Sequence, residues 1–182
     1  MGWARTSLVV LARVLLCHIS GLVPGTSSGH AQGQAQGRVV TDLKMPSTRL
    51  GRPIPYVVYL PTQPSSIVAG ERGVLVKQRL PVLYLLHGHG DTELAWLKLG
   101  RIAETLGRLI ASGALNPLIV VMPMGDNSWY VDDARGDGFG PVFSALVGDL
   151  VDGIDARYAT LGCREGRAFN GAIAGLLARG WR

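Results

Sequence analysis

The sequence predicts an α/β domain with a mostly parallel sheet and helices on both faces. Two runs, "LPVLYLLHG" from Leu80 and "NPLIVVMP" from Asn116, are continuously apolar and rich in β-branched or aromatic residues. That is the composition of strands buried on both faces. Each run precedes a stretch with apolar residues at helical spacing, and a last apolar segment, Ala168 to Leu177, follows the second stretch. Strand, helix, strand, helix, strand is the order of parallel strands joined by crossover helices.

Two antiparallel strands are predicted before this unit. "RVVTDLKMPSTRLGRPIPYVVYLP" alternates apolar and polar residues around a Gly51-Arg52-Pro53 break, with the second strand at Ile54 to Leu60. "TQPSSIVAGERGVLVKQR" reads as a long polar connection rich in turn residues. Between Leu94 and Ser112 the residues Leu99, Ile102, Leu106, Leu109 and Ile110 predict a helix, with Gly113 as its C-terminal cap. "GDNSWYVDDARGDGFG" is a Gly/Asp-rich loop of the kind that lines a site. After Pro141, the residues Phe143, Leu146, Val147, Leu150, Val151 and Ile154 make one apolar helix face, with Asp149, Asp152 and Asp155 elsewhere.

Composition narrows the function. The chain has 182 residues, 47% of them hydrophobic, which suits one domain with a substantial core. Its formal charge is +5, yet only 17% of residues are charged and no Lys/Arg block is present, which argues against nucleic acid as a partner. The first 31 residues have a basic start at Arg5, an apolar stretch from Leu8 to Val23 and small polar residues up to Ala31. This is the pattern of a secretory signal, followed by a linker over 32–37 and the domain from 38 to 182, and it predicts a secreted or periplasmic protein. Removing the signal takes away Arg5 and Arg13 and no acid, leaving +3. Arg13 interrupts the apolar run, so no stable membrane span is expected. Cys17 leaves with the signal and only Cys163 remains, so the core and not a disulfide must hold the fold.

"LYLLHGHGD" places a Gly-rich turn at the carboxyl end of a buried strand, where α/β proteins bind ligands. Glycines there let backbone N–H groups face a ligand without a Cβ in the way. In "LPVLYLLHGHGDTELAWLKLG", "NPLIVVMPMGDNSWYVDD" and "IDARYATLGCREGRA" the sequence resembles the esterase family that includes esterase D (S-formylglutathione hydrolase), feruloyl esterases, enterochelin esterase and the mycobacterial mycolyltransferases. The resemblance covers residues 38 to 176 in family order. It implies an α/β-hydrolase that cleaves carboxylic esters through a Ser–His–acid triad, without cofactor or metal, on a small-molecule or glycan-linked ester. It also implies that Gly88, His89 and Gly90 form the oxyanion side, and that Asn127, Trp129 and Tyr130 form the substrate loop. His87 is expected to order the loop and not to perform chemistry.

The nucleophile is missing from this pattern. No Ser follows Ser144 and no His follows His89. Aligned from Arg164 without a gap, the family's "REGRAIAGLSMGG" puts Ile173 at the nucleophile. Aligned on the identical run Ile173-Ala174-Gly175-Leu176, it puts Leu177 there and Arg179 where a Gly belongs; the four consecutive identities favour this register. A hydrocarbon side chain has no proton to transfer and no lone pair, so neither register supports an acyl-enzyme. The expectation is an α/β-hydrolase incomplete after its nucleophile strand: a truncated, inactive relative of a secreted serine carboxylesterase, or alternatively a non-catalytic glycan- or acyl-binding module.

No other residues supply the missing chemistry. Ser128 is expected in a loop hydrogen bond, Ser144 at an exposed helix position, and Cys163 as a small buried or half-buried side chain. His87, His89 and Asp91 resemble part of a zinc motif, but Thr92 stands where the last His belongs, so no metal site is expected. Asp132, Asp133 and Asp137 lack the terminal acidic ligand of a calcium loop and read as solvated acids.

Overall fold

A computed structural model describes residues 37–62, 67–69, 74–76, 78–133 and 138–171. The expected signal, most of the expected linker, Asp137, and the positions Ile173, Leu177 and Arg179 lie outside the described residues. Seven strands form: β1 Arg38–Met45, β2 Ile54–Leu60, β3 Ile67–Ala69, β4 Val74–Val76, β5 Val82–Leu86, β6 Ile119–Pro123 and β7 Arg167–Gly171. The main sheet has the order β1-β2-β6-β5-β7. β1 and β6 each pair antiparallel with β2, while β5 pairs parallel with β6 and β7, so every strand of the sheet except β2 runs the same way.

β5 and β6 are buried at every position. Their unbroken apolar runs follow from that placement, because both faces of the central strands are covered. On one face Tyr56, Val58, Tyr84, Leu86 and Val121 pack with Leu146, Leu150 and Ile154; on the other Val57, Tyr59, Leu83, Leu85 and Val120 pack with Leu106, Leu115 and Leu118. β6 lies on one side of β5 and β7 on the other. The chain therefore leaves the carboxyl end of β5 at a topological switch point, where open α/β sheets form their ligand crevice.

The helices depart from the sequence reading in instructive ways. The helix expected over Leu94–Ser112 is two: α1, Ala95–Lys98, and α2, Ile102–Ala111. The break holds Arg101 in the left-handed region at φ 46°, and it turns Leu99 out to 77% exposure, so Leu99 is not part of the apolar face. Gly113 does follow the helix end in the left-handed conformation (φ 72°), and its N–H donates to the carbonyl of Ile110 at 3.0 Å.

The later helix is continuous but not uniform: α3, Val142–Ala145, then a π-helical turn, Leu146–Leu150, then α4, Val151–Arg157. The wider turn rotates the buried face, which consists of Val142, Ala145, Leu146, Leu150, Val151 and Ile154; Phe143 and Val147 are only half-buried. Ser144 is also half-buried and is hydrogen-bonded, with Oγ donating to Asp132 Oδ2 at 2.6 Å. The connection expected over residues 61–79 contains the small antiparallel pair β3–β4. Cys163 is exposed, contrary to expectation, because it stands just before the surface 3-10 turn Arg164–Gly166 that leads into β7.

Candidate functional site

Two loops meet at the carboxyl end of the parallel strands: His87 to Asp91 after β5, and Met124 to Val131 after β6. The first is a turn closed by the Asp91 N–H donating to the Gly88 carbonyl at 3.2 Å, with Gly90 at φ 81°. That φ suits the third residue of a type II turn, where glycine carries no steric cost.

His87 joins the loops. Its ring is buried, with Nδ1 2.7 Å from the Gly88 carbonyl, and Nε2 receives the Gly125 N–H at 3.0 Å. The Tyr130 hydroxyl donates to the His87 carbonyl at 3.3 Å, and the two rings meet edge to face at 5.6 Å. Burial raises the Tyr130 phenol, an effect reduced by its hydrogen bond to His87, so it stays a neutral donor. Ser128 is buried in the same network: its Oγ donates to the Gly125 carbonyl at 2.6 Å and accepts the Tyr130 N–H at 3.2 Å. Its proton is committed to a backbone carbonyl and not to a base, so the hydroxyl is not activated for attack on an ester.

The three residues expected on the oxyanion side are held differently. The Gly90 N–H donates to Asn127 Oδ1 at 2.8 Å. The Gly88 carbonyl is held by Asp91 and faces His87 Nδ1. Among the described residues the His89 N–H has no acceptor, and His89 is exposed.

The three residues expected in a substrate loop also separate. Asn127 is exposed and fastens the β6 loop to Gly90. Trp129 is 55% exposed beside His89, their ring centroids 5.3 Å apart. Tyr130 faces inward and is 2% exposed, so it supports the loop from beneath and offers no surface for stacking. Trp129 and Tyr130 both sit at φ 56°, a left-handed conformation that costs about 1–2 kcal/mol for such residues. The Ser128 hydrogen bonds and the burial of Tyr130 hold them there.

Other candidates are kept apart. Asp132 binds the Ser144 N–H at 2.8 Å, and Asp133 Oδ2 accepts the Gly138 N–H at 3.0 Å. Among the described residues no three His, Cys, Asp or Glu side chains come together as a metal site, and no helix is long and apolar enough to cross a membrane. The sequence predicts a loop hydrogen bond for Ser128 but does not name its partners, Gly125 and Tyr130, although all three fall within one turn-rich loop.

Comparison with known proteins agrees with this arrangement. The model of the Esterase family, described as "Putative esterase", matches residues 47–172. An endo-1,4-beta-xylanase/feruloyl esterase of Xylanibacter ruminicola is 33% identical over 119 residues, covering 65% of this chain and 16% of that protein. A solved ferulic acid esterase matches with a TM-score of 0.59 and 27% identity, over 76% of this chain and 49% of that one. The feruloyl esterase module of Clostridium thermocellum, solved with sinapinate, matches in fold with a TM-score of 0.56 at 21% identity, over 78% of this chain and 47% of that one. The chain thus spans about half the length of these solved structures and a smaller part of the curated relative. From its matched family model, with a fold and a loop pair to suit, the chain belongs to the esterase family of α/β-hydrolases.

Proposed function

We propose that these 182 residues form the oxyanion and substrate-loop side of a secreted carboxylic-ester hydrolase, and that this polypeptide holds an ester without cleaving it. The observation that carries the reading is the N–H of the exposed residue His89, which has no acceptor among the described residues and stands on a turn fixed at the carboxyl end of β5. A backbone N–H so placed can stabilise the oxygen of an ester carbonyl as negative charge develops on it. Attack needs a hydroxyl or thiolate near that carbonyl. The sequence offers hydrocarbon side chains at Ile173 and Leu177, and the Ser128 hydroxyl is bound within its loop. The substrate class is a small-molecule or glycan-linked acyl ester, in keeping with the names of the relatives. Export is supported by the pattern of the first 31 residues. N-terminal sequencing of protein recovered outside a secreting host should begin beyond Ala31; an intact Met1 on exported protein would contradict it.

A stand-alone glycan- or acyl-binding module is the second reading, favoured by the exposed Trp129 beside His89. Indole faces stack on sugar and aryl rings. Titrating the purified polypeptide with feruloylated and plain xylo-oligosaccharides, next to a p-nitrophenyl acetate assay, separates the readings. Preference for the feruloylated ligand without turnover supports the ester-binding reading; equal binding of both supports a glycan module. Turnover that survives chelation of metals would show a nucleophile and overturn the non-cleaving assignment.

A further inference from the structure

We propose that the amino end of the sheet is a second binding surface, a line of arginines at Arg38, Arg157 and Arg79 that takes a carboxylate-bearing glycan chain and leaves the loop pair at the other end free. β1, β5, β6 and β7 run the same way, so their first residues share one end of the sheet. Arg38 opens β1 there. Arg157 closes α4, and the chain just past it returns to the amino end of β5: the Leu80 N–H donates to the Ala159 carbonyl at 2.8 Å, and the Leu161 N–H to the Leu80 carbonyl at 2.9 Å. Arg79 stands beside that crossing, with Nη1 donating to the Thr160 carbonyl at 3.0 Å.

All three are exposed, and the kind of partner they have sets them apart. Arg49, Arg52, Arg101 and Arg167 each pair with a carboxylate. Arg157 Nη1 donates instead to the Tyr56 hydroxyl at 2.9 Å, Arg79 donates to a carbonyl, and Arg38 pairs with no acid among the described residues. Asp155 is occupied by Arg167 and by the Thr160 hydroxyl at 2.7 Å, and the exposed acids Asp152 and Glu165 bind none of the three. Burial above all, with the neighbouring Tyr56 phenol, pushes the Tyr158 hydroxyl up to about 12, so the phenol next to Arg157 and Arg38 does not neutralise them. Arg157 and Arg79 are thus held in place by neutral groups and keep their full charge. Their planar forks match a carboxylate.

Their spacing selects a chain over a single ion. β2 and β6 lie between β1 and β5, which puts Arg38 and Arg79 at strand ends roughly 14 Å apart, with Arg157 between them on Tyr56 of β2. One carboxylate cannot span that line, whereas successive uronate residues present one carboxylate each along an extended chain. The surroundings select a glycan. Single-stranded nucleic acid needs aromatic faces on which its bases stack, and Trp129, the only exposed aromatic among the described residues, lies at the opposite end. A lipid surface or a peptide docks through apolar anchors, and among the described residues Leu161 is the one exposed large apolar side chain beside the arginines. The carboxyl end carries Asp91, Asp126, Asp132 and Asp133 in and after the two site loops, which steers a polyanion to the arginine end. The three arginines are far apart in the sequence, so no basic block announces them.

Titrating the 182-residue protein with tetragalacturonate at low salt tests this. The amide resonances of Arg38, Arg79, Tyr158 and Thr160 should shift while those of His89 and Trp129 stay. Arg38→Gln and Arg79→Gln should each weaken binding about threefold, and together about tenfold, the scale of exposed ion pairs. Arg101→Gln, in the pair with Glu104 at the other end, should leave binding unchanged. Strand resonances that match wild type show that each variant keeps the fold. Absence of binding, equal binding of the carboxyl-reduced tetrasaccharide, or equal weakening by Arg101→Gln would overturn the proposal. So would tighter binding of tetraglutamate, phosphatidylglycerol vesicles or a short oligonucleotide at the same salt, lost with the same substitutions, because the line would then belong to a peptide, a membrane or a nucleic acid. Feruloylated xylo-oligosaccharides should bind wild type and the Arg38→Gln/Arg79→Gln variant alike, so the ester-binding reading can fail while this surface stands, and the reverse.

Discussion

At the residue scale, small side chains decide whether the two loops can meet. A Cβ on Gly125 would lie 2.1 Å from Tyr130 Cε1, inside a ring whose hydroxyl is fixed on the His87 carbonyl. Gly125→Ala must displace that buried ring, and overpacking of this kind costs about 1–3 kcal/mol. Urea denaturation should show the loss as a lower midpoint at unchanged slope. Tyr130→Phe keeps the ring and removes one hydrogen bond, so a smaller loss of about 1 kcal/mol is expected. A larger loss in Tyr130→Phe than in Gly125→Ala would mean that the hydroxyl, not ring packing, holds the loop. These contacts were only partly legible in the sequence. "HGHGD" and "NSWY" were recognisable as site-forming stretches, but their joining depends on His87 meeting Gly125, 38 positions away, and Gly90 meeting Asn127, 37 away. No local periodicity encodes such pairs.

At the element scale, the π-helical turn is tied to the first strands through Asp149. Its carboxylate receives the Ser47 hydroxyl at 2.6 Å and the Arg49 N–H at 3.0 Å, and it pairs with the Arg49 guanidinium. Burial pushes this carboxyl up, but the Ser47 and Arg49 hydrogen bonds and the Arg49 charge together outweigh it and hold the group below its ordinary 3.8. A carboxyl with a lowered folded pKa adds stability above its unfolded value, and that stability disappears as pH falls through the folded value. Wild type should therefore lose stability on acidification below about pH 4 faster than Asp149→Asn, measured by thermal melting across the pH range. Parallel acid profiles would contradict the assignment. The Asn variant should also be less stable at neutral pH by about 1–2 kcal/mol, since it weakens charge-assisted bonds.

The same scale shows where periodicity misleads. Phe143 and Val147 fit an ideal helical stripe, yet one wide turn hands the buried positions to Val142 and Ala145. Leu99 fits the preceding stripe, yet the break before Arg101 turns it to solvent. The strands were read more faithfully because Pro, Gly and Asn bound short apolar runs on both sides, whatever the helices do. β7 brings a further constraint: a Cβ on Gly171 would lie 2.3 Å from the Leu86 carbonyl oxygen. Backbone cannot move aside as a side chain can. Gly171→Ala should push β7 from β5 and lower the melting temperature, while amide exchange speeds along Leu83 to Leu86; unchanged exchange there would show that the sheet absorbs the methyl elsewhere.

At the scale of the whole molecule, the sheet order explains why chemistry collects where it does. β5 carries β6 on one side and β7 on the other, so the loops after β5 and β6 and the last residue of β7, Gly171, lie at one end of the sheet. The general α/β order could be read from apolar runs and helical spacing, and the esterase family from the motifs within them. The antiparallel β3–β4 pair could not be read, because three-residue strands in a Gly/Ser-rich stretch carry too little pattern to stand out from a loop. The substrate-loop role suggested for Tyr130 illustrates the same limit: an aromatic in a site loop can face the ligand or the core, and only the packing shows which.

Ester binding without a nucleophile is the central assignment for this polypeptide. Incubating the purified 182-residue polypeptide with a fluorophosphonate and measuring its intact mass tests this most directly. No added mass is predicted, because among the described residues no activated hydroxyl faces the turn at His87–Asp91; a stoichiometric covalent adduct would contradict the account.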